Sequence, residues 1–171
     1  MLRSECPAMV DRVRVRSADV HDAKALRAIR LEALWDTPEA YGSTYEDSLK
    51  WSRLRWRWAA KTWNYYLGEF DGVVSGMASG GMNEEHPGTW WLYGMYVTPR
   101  ARGSGLADQL VEAVSSWARE QGAPELFLHV TSSVARARAF YKKMGFCENG
   151  ATIVMERDPS ITLVTMVRSL A

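Results

Sequence analysis

The apolar and polar positions of the chain fall into segments with two different periods. Val13-Arg14-Val15-Arg16 alternates as a strand does and ends before Asp19, a residue type that caps helix N-termini. Ala25, Leu26, Ile29, Ala33 and Leu34 then recur at helical spacing until Thr37-Pro38 interrupts them. A second helix is predicted over residues 48–61, where Trp51, Leu54, Arg55 and Trp58 share a face, with residues 38–47 as a loop before it. Residues 65–70 and 73–82 form a predicted hairpin, because Asp71-Gly72 between two β-prone runs favours the positive φ angles of a tight turn. Residues 83–88 are a polar loop. Residues 90–97 are apolar and aromatic on both faces, which predicts a central strand ending at Pro99.

From Leu106 the period is helical again. Leu106, Leu110, Val111, Val114, Trp117 and Ala118 make one stripe over residues 106–121, and Gly122 supplies a C-terminal stop. A short strand over 126–130, a helix over 133–144 ended by Gly145, and strands over 151–156 and 161–168 close the chain. The order β-α-α-β-β-β-α-β-α-β-β predicts a mixed sheet with helices packed on its faces, an α/β (α+β) architecture.

Composition narrows the function without naming it. The 171 residues are 47% hydrophobic and 24% charged, the balance of a folded globular chain. A chain of this size buries roughly 70% of its unfolded surface, so its core needs no disulfide or metal staple. A net charge of +1 gives no general attraction to nucleic acid or anionic lipid, so neither is expected as a partner. Cys6 and Cys147 lie far apart with no Cys-x-x-Cys or Cys/His spacing, so no metal site is indicated and a reducing, cytoplasmic location fits. Residues 1–11 lack the apolar run of a secretory signal and are expected to be a flexible tail, with Met9 as a second candidate start. No internal repeat or Pro/Gly/Ser-rich linker divides residues 12–171, which are expected to be one domain.

The segment richest in chemistry is Pro99-Arg100-Ala101-Arg102-Gly103-Ser104-Gly105-Leu106-Ala107, where a strand turns through glycines directly into a helix. The first turn of a helix carries unpaired N–H groups and a partial positive charge, and glycine lets a phosphate approach that backbone closely. Arg100 and Arg102 are placed to add charge-assisted hydrogen bonds. A Walker loop is excluded because Gly-Lys-Ser/Thr is absent. A dinucleotide fingerprint fails because Asp108 stands at its third glycine. An arginine-flanked loop with no ligand remains open on these residues alone.

The segment resembles motif A of the GNAT acyltransferase superfamily, Gln/Arg-x-x-Gly-x-Gly/Ala, as Arg102-Gly103-Ser104-Gly105-Leu106-Ala107. The family's second signature, aromatic-Tyr-x-x-x-Gly-Phe, is matched by Phe140-Tyr141-Lys142-Lys143-Met144-Gly145-Phe146. Both motifs stand in the family's order, and the resemblance runs from Val13 onward. It implies a GNAT-like mixed, largely antiparallel, splayed sheet with helices on both faces, and an enzyme using acetyl-CoA or a related acyl-CoA as co-substrate.

The resemblance also implies roles. Arg102, Gly103, Ser104, Gly105, Leu106 and Ala107 would cradle the pyrophosphate. Met95, Tyr96 and Val97 would face the pantetheine arm at a β-bulge, where unpaired backbone groups accept a ligand amide. Tyr141 matches the tyrosine that protonates the departing thiolate. The asparagine that family members carry seven residues earlier is Val134 here, with Ser132 or Ser133 as a substitute contact.

A base must take a proton from the acceptor ammonium. Trp91 stands where some members carry a glutamate, and His129 where the ribosomal-protein alanine acetyltransferases carry one. His129 is therefore the first candidate base, suited by the ordinary imidazole pKa of about 6.5. Glu84, with Glu85 and His86 on the same loop, is the alternative, and a water chain a third. Tyr41, Tyr45, Trp91 and Tyr93 are expected around the acceptor.

The function expected from these motifs is acetyl transfer to a small-molecule primary amine by direct attack in a ternary complex. Two alternatives stand beside it: a protein N-terminal or lysine acetyltransferase, which needs an open groove rather than an enclosed pocket, and a non-catalytic acyl-CoA sensor. The two terminal strands leave a homodimer and a completed monomer sheet equally open.

Overall fold

A computed structural model describes residues 12–171; the expected N-terminal tail, residues 1–11, lies outside the described residues. Seven strands form one sheet: β1 Val13–Ser17, β2 Tyr65–Phe70, β3 Val73–Met82, β4 Trp90–Val97, β5 Glu125–Thr131, β6 Cys147–Met155 and β7 Asp158–Ser169. They lie in the order β1-β2-β3-β4-β5-β7-β6, and every neighbouring pair is antiparallel except β4 with β5. The helices are α1 Ala23–Asp36, α2 Tyr45–Leu49, α3 Arg53–Thr62, α4 Leu106–Glu120 and α5 Ala135–Lys143. The mixed, largely antiparallel sheet with helices on its faces agrees with the sequence-based expectation.

Each face of the sheet has its own core. Leu106, Leu110, Val111 and Val114 of α4 are fully buried against Ala78, Leu92, Leu126 and Leu128. On the opposite face Leu26, Ile29 and Leu34 of α1 and Trp56 of α3 pack over Leu67, Met77 and Tyr96. Asp71 and Gly72 join β2 to β3 with φ of 50° and 76°, as the Asp-Gly pair predicts.

The predicted helix over 48–61 divides in two. Thr44 caps α2 by accepting the Asp47 N–H, and Ser52 caps α3 by accepting the Arg55 N–H, so the chain stops and restarts at Trp51. The buried face also differs from the expected one. Ala59 and Ala60 admit a close approach and Trp56 fills the space beside them, while Leu54 and Trp58 are 74% and 54% exposed. Arg55 instead lies over the Trp51 ring at 3.9 Å. The loop predicted over 38–47 holds a turn of 3-10 helix at Pro38–Ala40 and the start of α2. β6 is longer than expected because it is exposed along almost its whole length, so no apolar alternation marks it.

Two features of this sheet position the site. The β4–β5 ladder contains only the pairs Trp90↔Leu126 and Trp91↔Phe127, after which β5 continues with β7 alone and the strands part. On its other side β4 carries an extra residue: Met77 faces Tyr96 and Ser79 faces Tyr93, so Gly94 and Met95 together oppose Ala78. Gly94 takes φ of 60°, which a bulge of this kind favours.

The start of α4 is seated through Leu106, which is fully buried against Gly68 of β2. A Cβ at Gly68 would lie 2.6 Å from Leu106 Cδ1. Gly68→Ala is expected to cost roughly 1–3 kcal/mol of stability by overpacking. Urea denaturation reads this directly; an unchanged midpoint would show that Leu106 moves freely.

Candidate active site

The strand-to-helix turn leaves backbone donors without partners. Gly103 and Gly105 have φ of 80° and 88°, and Gly105 is the N-cap of α4. Ser104 fixes the turn, donating from Oγ to the Ala101 carbonyl at 2.6 Å and accepting the Leu106 N–H at 3.3 Å. The N–H groups of Gly103, Gly105, Ala107 and Asp108 make no hydrogen bond among the described residues. They stand at the positive end of a 15-residue helix, the condition for holding an anion.

This turn opens into a cavity of about 580 Å³ between the parted strands. Gly94, Met95, Tyr96 and Val97 line one wall, His129, Val130 and Thr131 another, and Gly103, Gly105 and Ala107 the end at α4. Val134, Phe140 and Tyr141 close it from α5. A second cavity, about 630 Å³, lies between α1 and α3 and contains none of these groups.

Tyr141 is buried, its ring held edge-on between Phe140 and Phe146 at 5.2 and 5.8 Å. Its hydroxyl has no hydrogen-bond partner among the described residues, and burial pushes its pKa well above the ordinary phenol value. The hydroxyl is therefore protonated at neutral pH, and its proton is not engaged by any described residue.

His129 is half-buried on β5, facing away from Leu128 and Val130. Nδ1 lies 3.2 Å from Thr165 Oγ1, and the ring sits 4.6 Å from that of Trp91. Burial, and secondarily His86, lowers the imidazole pKa, so the neutral, proton-accepting form prevails at neutral pH.

The expected acceptor residues separate. Tyr41 is buried, lines the cavity, and donates its hydroxyl to the Met95 carbonyl at 2.9 Å; burial pushes its phenol up to about 12. Tyr45 packs edge-on against Trp35 and lies off the cavity. Trp91 is buried as a wall behind His129, stacked on Phe127, with its indole N–H donated to Thr89 Oγ1. Tyr93 is 40% exposed, and burial of the rest of its ring, with Glu85 nearby, pushes its phenol up to about 12. Glu84 is exposed on the loop between β3 and β4 and does not line the cavity.

Other assignments change in detail. Arg102 donates from Nη2 to Asp36 at 2.6 Å and from Nε to the Val97 carbonyl at 3.2 Å, so its guanidinium braces α1 and β4. Asp36 also accepts from Tyr96 at 3.1 Å. Arg100 turns away to the Phe70 carbonyl. The Leu106 side chain belongs to the core, and neither Ser104 nor Ser133 lines the cavity, whereas Val134 does.

Several lining residues escaped the sequence-based assignment, among them the charged Glu39, Asp108, Arg136 and Lys143. Arg136 and Lys143 of α5 both border the cavity, and Lys143 bonds Asp108 at 2.9 Å. They are seven positions apart, two helical turns, which places both on the face that carries Phe140. That spacing was the available signal.

Known proteins share this fold. A structure of an N-acetyltransferase from Staphylococcus aureus Mu50 superposes with a TM-score of 0.71, at 24% identity over 93% of this chain and 99% of that one. A ribosomal-protein-alanine N-acetyltransferase from Brucella melitensis superposes with a TM-score of 0.69, at 26% identity over 91% and 99%. The structure of yncA, a putative acetyltransferase from Salmonella typhimurium with its cofactor acetyl-CoA, gives 0.71 at 24% identity over 93% and 94%. Among curated sequences, the uncharacterized N-acetyltransferase YjgM of Escherichia coli is 32% identical over 48% of this chain and 50% of its own length. The mycothiol acetyltransferase of Acidothermus cellulolyticus is 26% identical over 80% of this chain and 45% of its own. The chain thus spans about half the length of the curated relatives it matches. The model of the acetyltransferase (GNAT) family matches residues 28–146, from the middle of α1 through α5, and by that match over more than half its length the chain belongs to the GNAT acetyltransferase family.

Proposed function

We propose that this protein transfers an acetyl group from acetyl-CoA to the primary amine of a small molecule, by direct attack in a ternary complex. The observation that carries the proposal is the meeting, in one cavity, of the free N–H groups of α4, the parted edge of β4, His129 and Tyr141. The exposed amides at Gly103, Gly105 and Ala107 fit a diphosphate, with Lys143, paired to Asp108, beside the start of α4 and Arg136 two turns away along α5. Bound there, acetyl-CoA supplies the acetyl group as a thioester.

His129 takes a proton from the acceptor ammonium, freeing the nitrogen lone pair to form a C–N bond to the acyl carbon. Tyr141 gives its proton to the sulfur as the C–S bond breaks. Both groups stand in the protonation state that this division of labour needs. Placement contributes most of the acceleration: holding the two reactants together removes roughly 7–11 kcal/mol of barrier.

The turn between β6 and β7 is held against the loop that carries Tyr41. Arg157 donates from Nε to the Tyr41 carbonyl at 2.8 Å and from Nη2 to the Pro38 carbonyl. No helix among the described residues is long and apolar enough to cross a membrane.

Thiol release with acetyl-CoA and a panel of amines, with the product mass measured, tests the proposal. An increment of one acetyl group on a small amine is expected. Tight acetyl-CoA binding with no turnover would favour the sensor alternative.

The base has its own test. Because the His129 pKa is lowered, the acidic fall of kcat/KM, as the imidazole gains its proton, should come at a lower pH than for an ordinary imidazole. His129→Gln is expected to abolish that acidic limb and to lower the rate roughly 10²-fold or more. A mutant with the wild-type pH profile would assign the base elsewhere.

A further inference from the structure

On the α1 face of the sheet, Arg30 sits directly beside the bulge. It is partly buried, and Nη2 donates to Ser43 Oγ at 2.7 Å, the one hydrogen bond its side chain makes among the described residues. A guanidinium has five N–H donors, so most of this one's capacity is unused. Arg16 pairs with Asp22 and Glu69, Arg102 with Asp36 and Arg168 with Glu112, whereas Arg30, like Arg27 one turn earlier on α1, has no such partner among the described residues. No carboxylate among the described residues forms an ion pair with Arg30. Withdrawing a charge from water without a counter-ion is unfavourable.

Its position relates this guanidinium to the chemistry. The guanidinium lies over the Tyr41 ring, 4.8 Å from its centroid, and Tyr41 holds the Met95 carbonyl of the bulge. A Cβ on Gly94 would lie 3.4 Å from Arg30 Nη1, so the glycine leaves the cation facing the bulged backbone with no side chain between. Gly94 and Tyr41 both line the reaction cavity.

We infer that Arg30 binds a carboxylate of the acceptor, so that the substrate is an α-amino acid or a close analogue carrying its carboxylate beside the reacting amine. The inference rests on the acetyltransferase function proposed above and names the acceptor class for that site. The planar fork matches a carboxylate bidentately, which orients the neighbouring amine as well as attracting it. One carbon atom separates amine and carboxylate in such a molecule, and Arg30 stands one side chain from the bulge. A carboxylate held at the fork therefore delivers its amine to the parted edge of β4.

The test compares each protein amino acid with the amine left by its decarboxylation, such as phenylalanine with phenethylamine and leucine with isopentylamine, in the full-length protein with saturating acetyl-CoA. Wild-type kcat/KM is expected to favour the amino acid of the best pair by roughly tenfold or more, the range of a charge-assisted contact. In Arg30→Met that ratio should fall toward one, chiefly through KM, and Arg30→Lys should retain part of it. A residue that only braced Ser43 would slow both members of a pair alike and leave the ratio unchanged, which would overturn the inference. Turnover of the amines in preference to the amino acids would also overturn it while leaving the acetyltransferase function intact. Acetyl-CoA binding with turnover of neither class would remove both. Should Arg30→Met lose acetyl-CoA binding, the wild-type ratio alone decides.

Discussion

Replacing Gly105 with valine is expected to abolish acetyl-CoA binding while the fold stands. The residue has φ of 88°, and a Cβ built there meets no protein atom within 4 Å. A valine side chain would therefore project into the space left beside the free N–H groups of α4, where the diphosphate is expected. Holding a β-branched residue at that φ costs roughly 1–3 kcal/mol, within the 5–15 kcal/mol by which folded domains are stable. The affinity should fall by roughly 100-fold or more, about 2.7 kcal/mol. Gly122 provides a matched control, since it has φ of 79°, equally open surroundings, and lies beyond the other end of α4. Gly122→Val should carry a similar strain and leave the affinity alone. Calorimetric titration of both variants checks this; equal affinities would separate the glycine turn from ligand binding.

The second large effect is on the chemical step. Tyr141→Phe is expected to lower kcat roughly 10²-fold, the contribution of one positioned acid, with little change in acetyl-CoA affinity. Its effect on stability should be small, because the hydroxyl has no partner among the described residues and the ring keeps its edge contacts with Phe140 and Phe146. Single-turnover kinetics separate the step from product release. A mutant with wild-type kcat would show that water or another group protonates the sulfur.

The parts of this architecture that were legible in the chain are those where one local force decides. The β2–β3 hairpin follows from Asp71-Gly72, and α4 from its apolar stripe and its glycine ends. The α2–α3 break was legible too, in the caps Thr44 and Ser52, but apolar spacing outweighed them and gave one helix with the wrong buried face. Arg102 shows a different limit. Its place in the glycine motif pointed to a phosphate, yet Asp36, 66 positions earlier, takes one arm of the guanidinium. Nothing local to either residue announces that pairing. Tyr41 is similar, since only the folded sheet brings its hydroxyl to the Met95 carbonyl. Exposed β6 left no pattern to read, because a strand that buries almost nothing has no alternation.

The electrostatic arrangement has a consequence for how the site is kept in order. Tyr141 and Tyr41 are held neutral by burial, and His129 is kept neutral near pH 7 for the same reason. Charge lies instead on the rim of the cavity: the free amides of α4 with the Lys143–Asp108 pair beside them, and Glu39 and Arg136 elsewhere along its lining. A reaction centre of neutral groups beside the helix amides suits a reaction in which neutral amine and thioester meet while the co-substrate is anchored by its diphosphate.

The most direct test is a crystal structure of the protein with CoA. The diphosphate is expected on the N–H groups of Gly103, Gly105 and Ala107, with the sulfur between Tyr141 and the bulge at Gly94 and Met95. CoA seated in the cavity between α1 and α3, or on the outer surface of the sheet with the glycine turn empty, would contradict the account.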